Sequence, residues 1–283
     1  MKINRRKALL SGMSFPLAGL MPAQLLAEGQ DGDSTAIADQ THVLRHYVLA
    51  TANEAEMDRT LAEIKEKLGL PAQAKKHLTE LGFTTCMVII GKTVFETIAP
   101  FAPGNRPHVD EYLEQRGGPG VYKLVVQTFD AAALRKRLYT LRLKLDRDSE
   151  FRGHQAITLD TEFFGTAFEA FTFTPLDKWW GYDSSIDYVA SELVEEVSGC
   201  DLAIENPGAA ARLVAVAFNA EFEPQTNTVH FQKNLTMPFA ERMIRFVEPT
   251  DERRGVTTLD LIARDRSRVG EIVTISGVDF RFV

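Results

Sequence analysis

The chain has 283 residues, of which 45% are hydrophobic and 25% charged, and a formal net charge of −7 at pH 7. The length is enough for one large or two modest domains, and the composition is ordinary for a soluble protein. The acidic balance argues against a nucleic-acid partner, because nucleic-acid recognition needs a basic face.

The two cysteines, Cys86 and Cys200, lack CxxC spacing. The sequence therefore predicts neither a zinc ribbon nor a disulfide framework, and a single bridge between the two is the minor alternative. Cys86 lies in an apolar stretch, which favours a role as a core residue.

The first 27 residues are predicted to be an export signal. They have a basic start, an apolar middle broken by Gly and Pro, and small residues near Ala27. The run NRRKAL (4–9) resembles the twin-arginine signal, with Ala8 where a Phe is usual. A membrane anchor is the disfavoured alternative, because the apolar run is short and interrupted.

Removing this signal takes the formal net charge from −7 to −11, since it carries four positive charges and no negative ones. We expect a periplasmic or otherwise exported protein without stable membrane association once the signal is removed.

Downstream of a polar linker the chain reads as a strand, a helix and two strands. The strand begins at His42, the helix covers 54–68 with one apolar stripe, and the strands cover 83–90 and 93–99.

A loop with a short helix (109–115) leads to a second unit of the same kind. It has a strand at 121–128, a helix at 131–145, and strands at 155–159 and 166–173. Repetition at roughly 75 to 80 residues indicates a structural duplication.

The pattern returns in weaker form after an aromatic and acidic stretch that contains Trp179 and Trp180. That stretch is predicted to plug the space between lobes or to rim a pocket. Beyond it a third unit is complete in outline, with a strand starting at Cys200, and a fourth is truncated to two strands. Arg245 falls in the third unit where Glu96 stands in the first.

The predicted fold class is α+β, with paired βαβββ modules forming a cupped mixed sheet and a degenerate C-terminal repeat. The predicted organisation is an export signal (1–27), a linker (28–40), paired modules (41–176), a connection (177–198) and a degenerate lobe (199–283). The lobe is expected to serve as a scaffold, a lid or the surface of a homodimer.

Four segments carry a resemblance to a known family: HVLRHYVLAT, GKTVFETIAP, YLEQRGGPGVYKLVV and GTAFEAFTF. In this order and spacing they resemble the paired modules of the vicinal oxygen chelate superfamily, which includes glyoxalase I, methylmalonyl-CoA epimerase, extradiol dioxygenases and bleomycin-binding proteins. The epimerase-like branch is the most similar. The resemblance covers about 41–175 and implies a cupped sheet that holds a divalent metal on four strands.

The resemblance implies metal ligands at His46, Glu96 and Glu169, with Zn, Ni, Co, Mn or Fe as the metal. The fourth position, normally a His, falls on Lys123. Lysine is a poor ligand at neutral pH, because its amine must first lose a proton whose reference pKa is about 10.4.

Three interpretations of Lys123 stay open. A metal binds through the other three residues, with open positions for water or substrate. Alternatively, the Lys123 ammonium replaces the metal, and the site binds an oxyanion or uses Lys123 as an acid, a base or a Schiff-base amine. In the third, the cluster is a structural ion pair without chemistry.

The sequence thus predicts an exported enzyme of glyoxalase or epimerase type that acts on a small carbonyl compound, with Glu96, Glu169 and Lys123 as catalytic residues. In such chemistry a Lewis acid stabilises the enolate that forms when a base removes a proton. The alternative is a binding protein that uses the same hollow to sequester a small ligand without turnover.

Overall fold

A computed structural model describes six ranges of the chain. The predicted signal and linker and the tryptophans of the predicted connection lie outside them. Among the described helices, none is both long and apolar enough to cross a membrane. The described ranges are 42–128, 130–151, 153–172, 189–231, 241–250 and 253–283.

The first module is a βαβββ unit. β1 pairs in parallel with β4, β3 runs antiparallel to β4, and β2 pairs with β3. Its elements are β1 (Val43–Ala50), α1 (Glu54–Leu68), β2 (Lys76–Leu78), β3 (Phe83–Ile90) and β4 (Thr93–Pro100).

Helix α1 begins and ends where the sequence predicts. The Asn53 side chain accepts a hydrogen bond from the Glu56 amide at 3.0 Å, which caps the first turn. Gly69 follows the last turn with φ 68°, a left-handed conformation that costs glycine little. The predicted apolar stripe is buried against the sheet, which fixes the face of the helix.

Helix α2 (Pro107–Arg116) connects the first module to the second, which repeats the arrangement of strands in the first. β5 pairs in parallel with β8, and β7 and β6 follow as antiparallel neighbours. Its elements are β5 (Gly120–Thr128), α3 (Ala131–Thr140), β6 (Leu145–Phe151), β7 (His154–Leu159), α4 (Thr161–Phe164) and β8 (Ala167–Thr172).

The predicted helix at 131–145 is too long. α3 ends at Thr140, and Arg142 has φ 55°, which breaks the helical path. Leu141 and Leu145 still pack against the core, so the apolar spacing that suggested a longer helix is satisfied by a turn and the start of β6.

The two modules join edge to edge through β1 and β5, which pair antiparallel. A register shift between Leu44 and His46 marks a β-bulge in β1. The strand order β2-β3-β4-β1-β5-β8-β7-β6 gives one mixed sheet with a helix face and an opposite hollow face, which we call the first cup.

The third module is complete and the fourth is truncated, as predicted. β9 pairs with β12 in parallel and with β13 antiparallel, and β13 pairs with β15 in parallel. The face of this second pair that lies opposite α5 is the second cup. The elements are β9 (Val194–Ala203), α5 (Pro207–Phe218), β10 (Glu221–Glu223), β11 (Thr228–Phe231), β12 (Arg242–Val247), β13 (Gly255–Ala263), β14 (Ile272–Ile275) and β15 (Val278–Phe282).

Two boundaries differ from the sequence expectation. β9 begins at Val194, earlier than the predicted Cys200. The strand therefore includes Glu195 and Glu196, which were predicted to belong to the connection. The final predicted strand is a hairpin, turned at Ser276 and Gly277, which both have positive φ.

The two pairs share one hydrophobic core on their helix faces, where the rings of Phe95 and Phe280 pack edge to face at 5.7 Å between centroids. A buried ion pair between Glu196 and Arg242, at 3.0 Å, lies at this junction. Both cysteines are buried and free.

The Glu196 carboxylate also accepts a hydrogen bond from the Lys92 amide at 2.8 Å, so it connects β9 to the β3–β4 turn. A Cβ at Gly91 would overlap this carboxylate. The turn therefore has room for the glutamate only because residue 91 is glycine, and the first pair is held to the second at this point.

Candidate functional site

Alternation along the strands places the predicted site residues on the first cup. The bulge in β1 turns Leu44 and Tyr47 toward the core and leaves His46 and Val48 on the opposite face. Val48 lies beside Glu96 on one neighbouring strand and beside Lys123 on the other. These side chains thus line one hollow at similar height.

Glu169 lies one step along the sheet from Lys123. Its strand neighbour is Val125, which in turn pairs with His46. The structure therefore brings the four predicted residues to one face, as two close pairs.

The first pair joins His46 and Glu96, with His46 Nε2 3.1 Å from Glu96 Oε2. The Thr85 hydroxyl donates a short hydrogen bond to the other carboxylate oxygen. Burial alone raises the pKa of Glu96, but the bonds from His46 and Thr85, with the Lys123 charge, lower that pKa below its usual value. Glu96 is therefore an ionised carboxylate at neutral pH.

The second pair joins Lys123 and Glu169. Lys123 Nζ donates to both carboxylate oxygens at 3.1 Å, and Thr158 Oγ1 donates to Glu169 Oε2 at 3.0 Å. Burial alone lowers the pKa of Lys123, but the Glu169 carboxylate raises that pKa above its usual value. Lys123 is therefore an ammonium ion at neutral pH, and the neutral amine that a Schiff base requires is scarce.

In each pair one side chain is more exposed to solvent than its partner. The Lys123 side chain is 24% exposed and the Glu96 side chain 13%, whereas His46 and Glu169 lie deeper. A partly exposed ammonium beside a partly exposed carboxylate is what an incoming polar group would meet first.

Apolar side chains surround the charged cluster on the same face. One group lies toward the β3 and β7 side and the other lies toward α2. They are Met87, Ile89, Val94, Val125, Ala156 and Phe171, and Val48, Ala50, Phe83, Ile98, Val109 and Tyr112. Apolar walls around a few charged groups are typical of small-molecule sites.

The residues do not fit the metal centre that the resemblance implies. Both oxygens of Glu169 accept from Lys123, and those of Glu96 accept from His46 and Thr85. Within the described ranges, no group of three His, Cys, Asp or Glu side chains is arranged to hold a metal ion. The Lys123 ammonium lies beside Glu169, where a divalent cation would have to bind, and its positive charge would repel that cation.

Sequence reasoning missed two residues of the site, Thr85 and Thr158. Each lies on the strand beside the one that carries the carboxylate it binds, β3 beside β4 and β7 beside β8. A matching threonine in the corresponding strand of each module was the available signal.

His42 does not belong to the first cup. Its ring packs edge to face on Phe218, and its Nε2 lies 3.3 Å from an Arg137 guanidinium nitrogen. Burial, and next the Arg137 charge, lower its pKa to about 3. His154, the first residue of β7, packs near Phe171 at the margin of the first cup, with 5.8 Å between ring centroids.

Comparison with solved structures finds the same architecture elsewhere. A hypothetical protein from Staphylococcus aureus is 10% identical with a TM-score of 0.58, and the match covers 86% of this chain and 99% of that chain. A methylmalonyl-CoA epimerase from Mycobacterium tuberculosis is 17% identical with a TM-score of 0.39, and the match covers 47% of this chain and 89% of that chain. No protein-family model and no curated protein matches the chain.

The first of these likenesses includes most of both pairs of modules, so the second pair is part of a fold that another protein shares. The predicted α+β fold of paired βαβββ modules in a mixed sheet is confirmed, and the likeness shows the fold alone.

Proposed function

We propose that the chain is an exported enzyme of glyoxalase or epimerase type that moves a proton at the carbon next to a carbonyl group of a small compound. The observation that carries the proposal is that a fixed cation, Lys123, and an ionised carboxylate, Glu96, face one apolar hollow from the two strands that flank β1. Enolate formation needs a positive group at the oxygen and a base at the carbon.

Lys123 supplies the positive group. Its ammonium has three N–H donors, and Glu169 accepts from it through two oxygens, so a donor is left for a substrate oxygen. As the enolate forms, negative charge grows on that oxygen, and a preorganised ammonium stabilises it without proton transfer.

Glu96 supplies the base. The C–H bond next to the carbonyl breaks, its proton goes to a Glu96 oxygen, and its electron pair moves into a C=C bond as the carbonyl oxygen becomes the enolate oxygen. His46 and Thr85 hold the carboxylate in place. When the proton on Glu96 exchanges with solvent before a proton returns to the same face of the carbon, the result is isotope exchange, and return to the other face gives epimerisation.

Proton exchange with solvent tests the proposal without knowledge of the physiological substrate. The purified protein is incubated in D2O with pyruvate, 2-oxobutyrate, acetoacetate and dihydroxyacetone, and loss of the α-proton signal is followed by 1H NMR. We expect catalysed exchange for at least one compound and a decrease of about 10²-fold to 10³-fold in Glu96→Gln and Lys123→Met. Lys144→Met is the matched control, because Lys144 is exposed and lies outside the cup.

A binding protein without turnover is the second candidate. It is favoured by one observation: Glu96 already has His46, and Lys123 already has Glu169, as a partner within the cup. Saturable binding of a carbonyl compound without deuterium exchange would support this candidate and contradict the enzyme.

The metal-dependent form of the enzyme is distinguished by metal analysis. About one equivalent of Zn, Ni, Co, Mn or Fe in the purified protein, lost in Glu96→Gln, would assign the role of Lys123 to a metal. If Lys123 supplies the positive group, treatment with a chelator should leave the exchange activity unchanged.

Export belongs to the proposal as well. It is supported by the NRRKAL run and the small residues near Ala27. A reporter fused after residue 40 should reach the periplasm of a bacterial host, and the double variant Arg5→Lys, Arg6→Lys should retain it in the cytosol.

A further inference from the structure

The second cup carries a charged cluster of its own. Arg245 Nε lies 2.8 Å from Asp201 and its Nη2 donates to Asp260. Arg281 Nε lies 2.8 Å from Asp260 and its Nη2 3.0 Å from Asp201. The four side chains form a closed ring in which positive and negative groups alternate.

The ring lies where the first cup has its own cluster. β9 has a register shift between Val197 and Gly199, as β1 has between Leu44 and His46. Aligned on these bulges, Asp201 corresponds to Val48 of the first pair.

The remaining positions follow from the strand registers. Arg245 pairs with Asp201 as Glu96 pairs with Val48. By the same registers, Asp260 corresponds to Val125 and Arg281 to Glu169. The two carboxylates of the first cup are thus replaced by two guanidinium groups.

Each arginine has a nitrogen that the ring does not use. Nε and Nη2 of both face the aspartates. In the part of the chain that the structure describes, Arg245 Nη1 contacts only the Met243 thioether at 3.6 Å, and Arg281 Nη1 has no hydrogen-bond acceptor. A guanidinium has five N–H donors, so each arginine keeps donors for a further acceptor.

The two arginine side chains of the ring are more exposed to solvent than the Asp260 side chain. The Arg245 and Arg281 side chains are 24% and 31% exposed, whereas the Asp260 side chain is 1% exposed. The aspartates lie beneath the arginines and fix their planes, which reduces the entropy lost when a ligand binds.

We propose that the second cup is a binding site for a small oxyanion, a carboxylate or phosphate group, held by the Nη1 donors of Arg245 and Arg281. Planar guanidinium groups match the geometry of both anions. The two aspartates neutralise the arginines, so binding depends on hydrogen-bond geometry more than on net charge and is of modest affinity. The site is separate from the Lys123 cluster.

The competing explanation is a ring of ion pairs that only stabilises the fold. Under that explanation water solvates the Nη1 atoms and added anions have no specific effect. The two explanations differ in whether anion binding is saturable and local to these two arginines.

The test uses protein labelled with 13C and 15N in the arginine guanidinium groups and titrated with inorganic phosphate or with acetate at constant ionic strength. Arg245→Lys and Arg281→Lys assign the two signals. We expect saturable shifts of both for at least one anion, and the tighter anion identifies the ligand class.

Lysine keeps the charge of each ring position, so these variants also preserve the fold, but it lacks the planar pair of donors. Each should weaken binding about tenfold. Arg59→Lys, at an exposed site on α1, and Glu96→Gln, in the first cup, should leave it unchanged.

Absence of saturation for both anions up to about 50 mM, where even a dissociation constant of several millimolar would be detected, overturns the proposal. So does binding that persists unchanged in both lysine variants, since it then resides elsewhere.

Discussion

Arg245 lies in the second pair of modules at the position that Glu96 occupies in the first pair. Each is on the last strand of its module and pairs with the corresponding residue of the first strand, Asp201 or Val48. The same arrangement of strands therefore occurs twice in the chain, and the side chain at this position is negative in the first pair and positive in the second. We infer that the two cups recognise different chemical groups, a carbonyl compound in the first and an oxyanion in the second.

Replacing Lys123 by histidine should create a metal site in the first cup. Lys123→His removes the ammonium that holds Glu169 and adds a nitrogen ligand beside His46, Glu96 and Glu169. We expect Zn or Ni to bind with about one equivalent per chain, measured by elemental analysis after dialysis. Lys123→Met is the control, because it removes the same charge without adding a ligand. Equal metal content in wild type and variant would contradict this prediction.

Stability should fall at acidic pH partly through Glu96. Its pKa is lowered in the folded protein, so its contribution is fully present above the ordinary value of 4.5 and is lost as the pH falls through the folded pKa. Between pH 5 and about pH 3, Glu96→Gln should lose less unfolding free energy than wild type, measured by urea denaturation. The exposed Glu66→Gln variant should behave as wild type does.

His42 should contribute an earlier loss of stability. Its pKa falls from 6.5 to about 3 on folding, so stability is complete above pH 6.5 and declines as the pH falls toward the folded pKa. The expected slope is about 1.4 kcal/mol per pH unit between those limits. His42→Gln should remove this slope between pH 6 and 5, above the range in which Glu96 acts. An identical slope in the variant would show that His42 does not titrate as proposed.

The ion pair of Glu196 and Arg242 should be essential for joining the two pairs of modules. Removing one partner leaves a buried charge without compensation, so Glu196→Gln should lower the free energy of unfolding by about 3 to 5 kcal/mol. The exposed Glu192→Gln variant is the matched control. A loss below about 1 kcal/mol would indicate that solvent or relaxation replaces the pair.

Local patterns in the sequence predicted much of the fold. The apolar stripe and the caps of α1 define its ends, and the recurrence of strand, helix and strands identified the duplication. Glu96 and Glu169 were identified through the resemblance of their strand segments to the family's modules.

Other features depend on contacts between distant segments. β6 is a polar strand on the edge of the sheet, so its sequence lacks an apolar alternation. β9 contains buried Glu196, which reads as part of an acidic connection until Arg242 is placed beside it. The preference of Lys123 for Glu169, and of His46 for Glu96, likewise depends on the register between strands.

The charge of Lys123 is the most direct test of the first cup. In protein labelled with 13C at the lysine ε-carbon, the Lys123 signal is assigned with Lys123→Arg and followed by NMR as the pH rises from about 6 to 10. We expect no titration of this amine in that interval, because its pKa lies above the usual 10.5. Deprotonation near neutral pH would contradict it, since Lys123 would then be a neutral amine free to bind a metal or form a Schiff base.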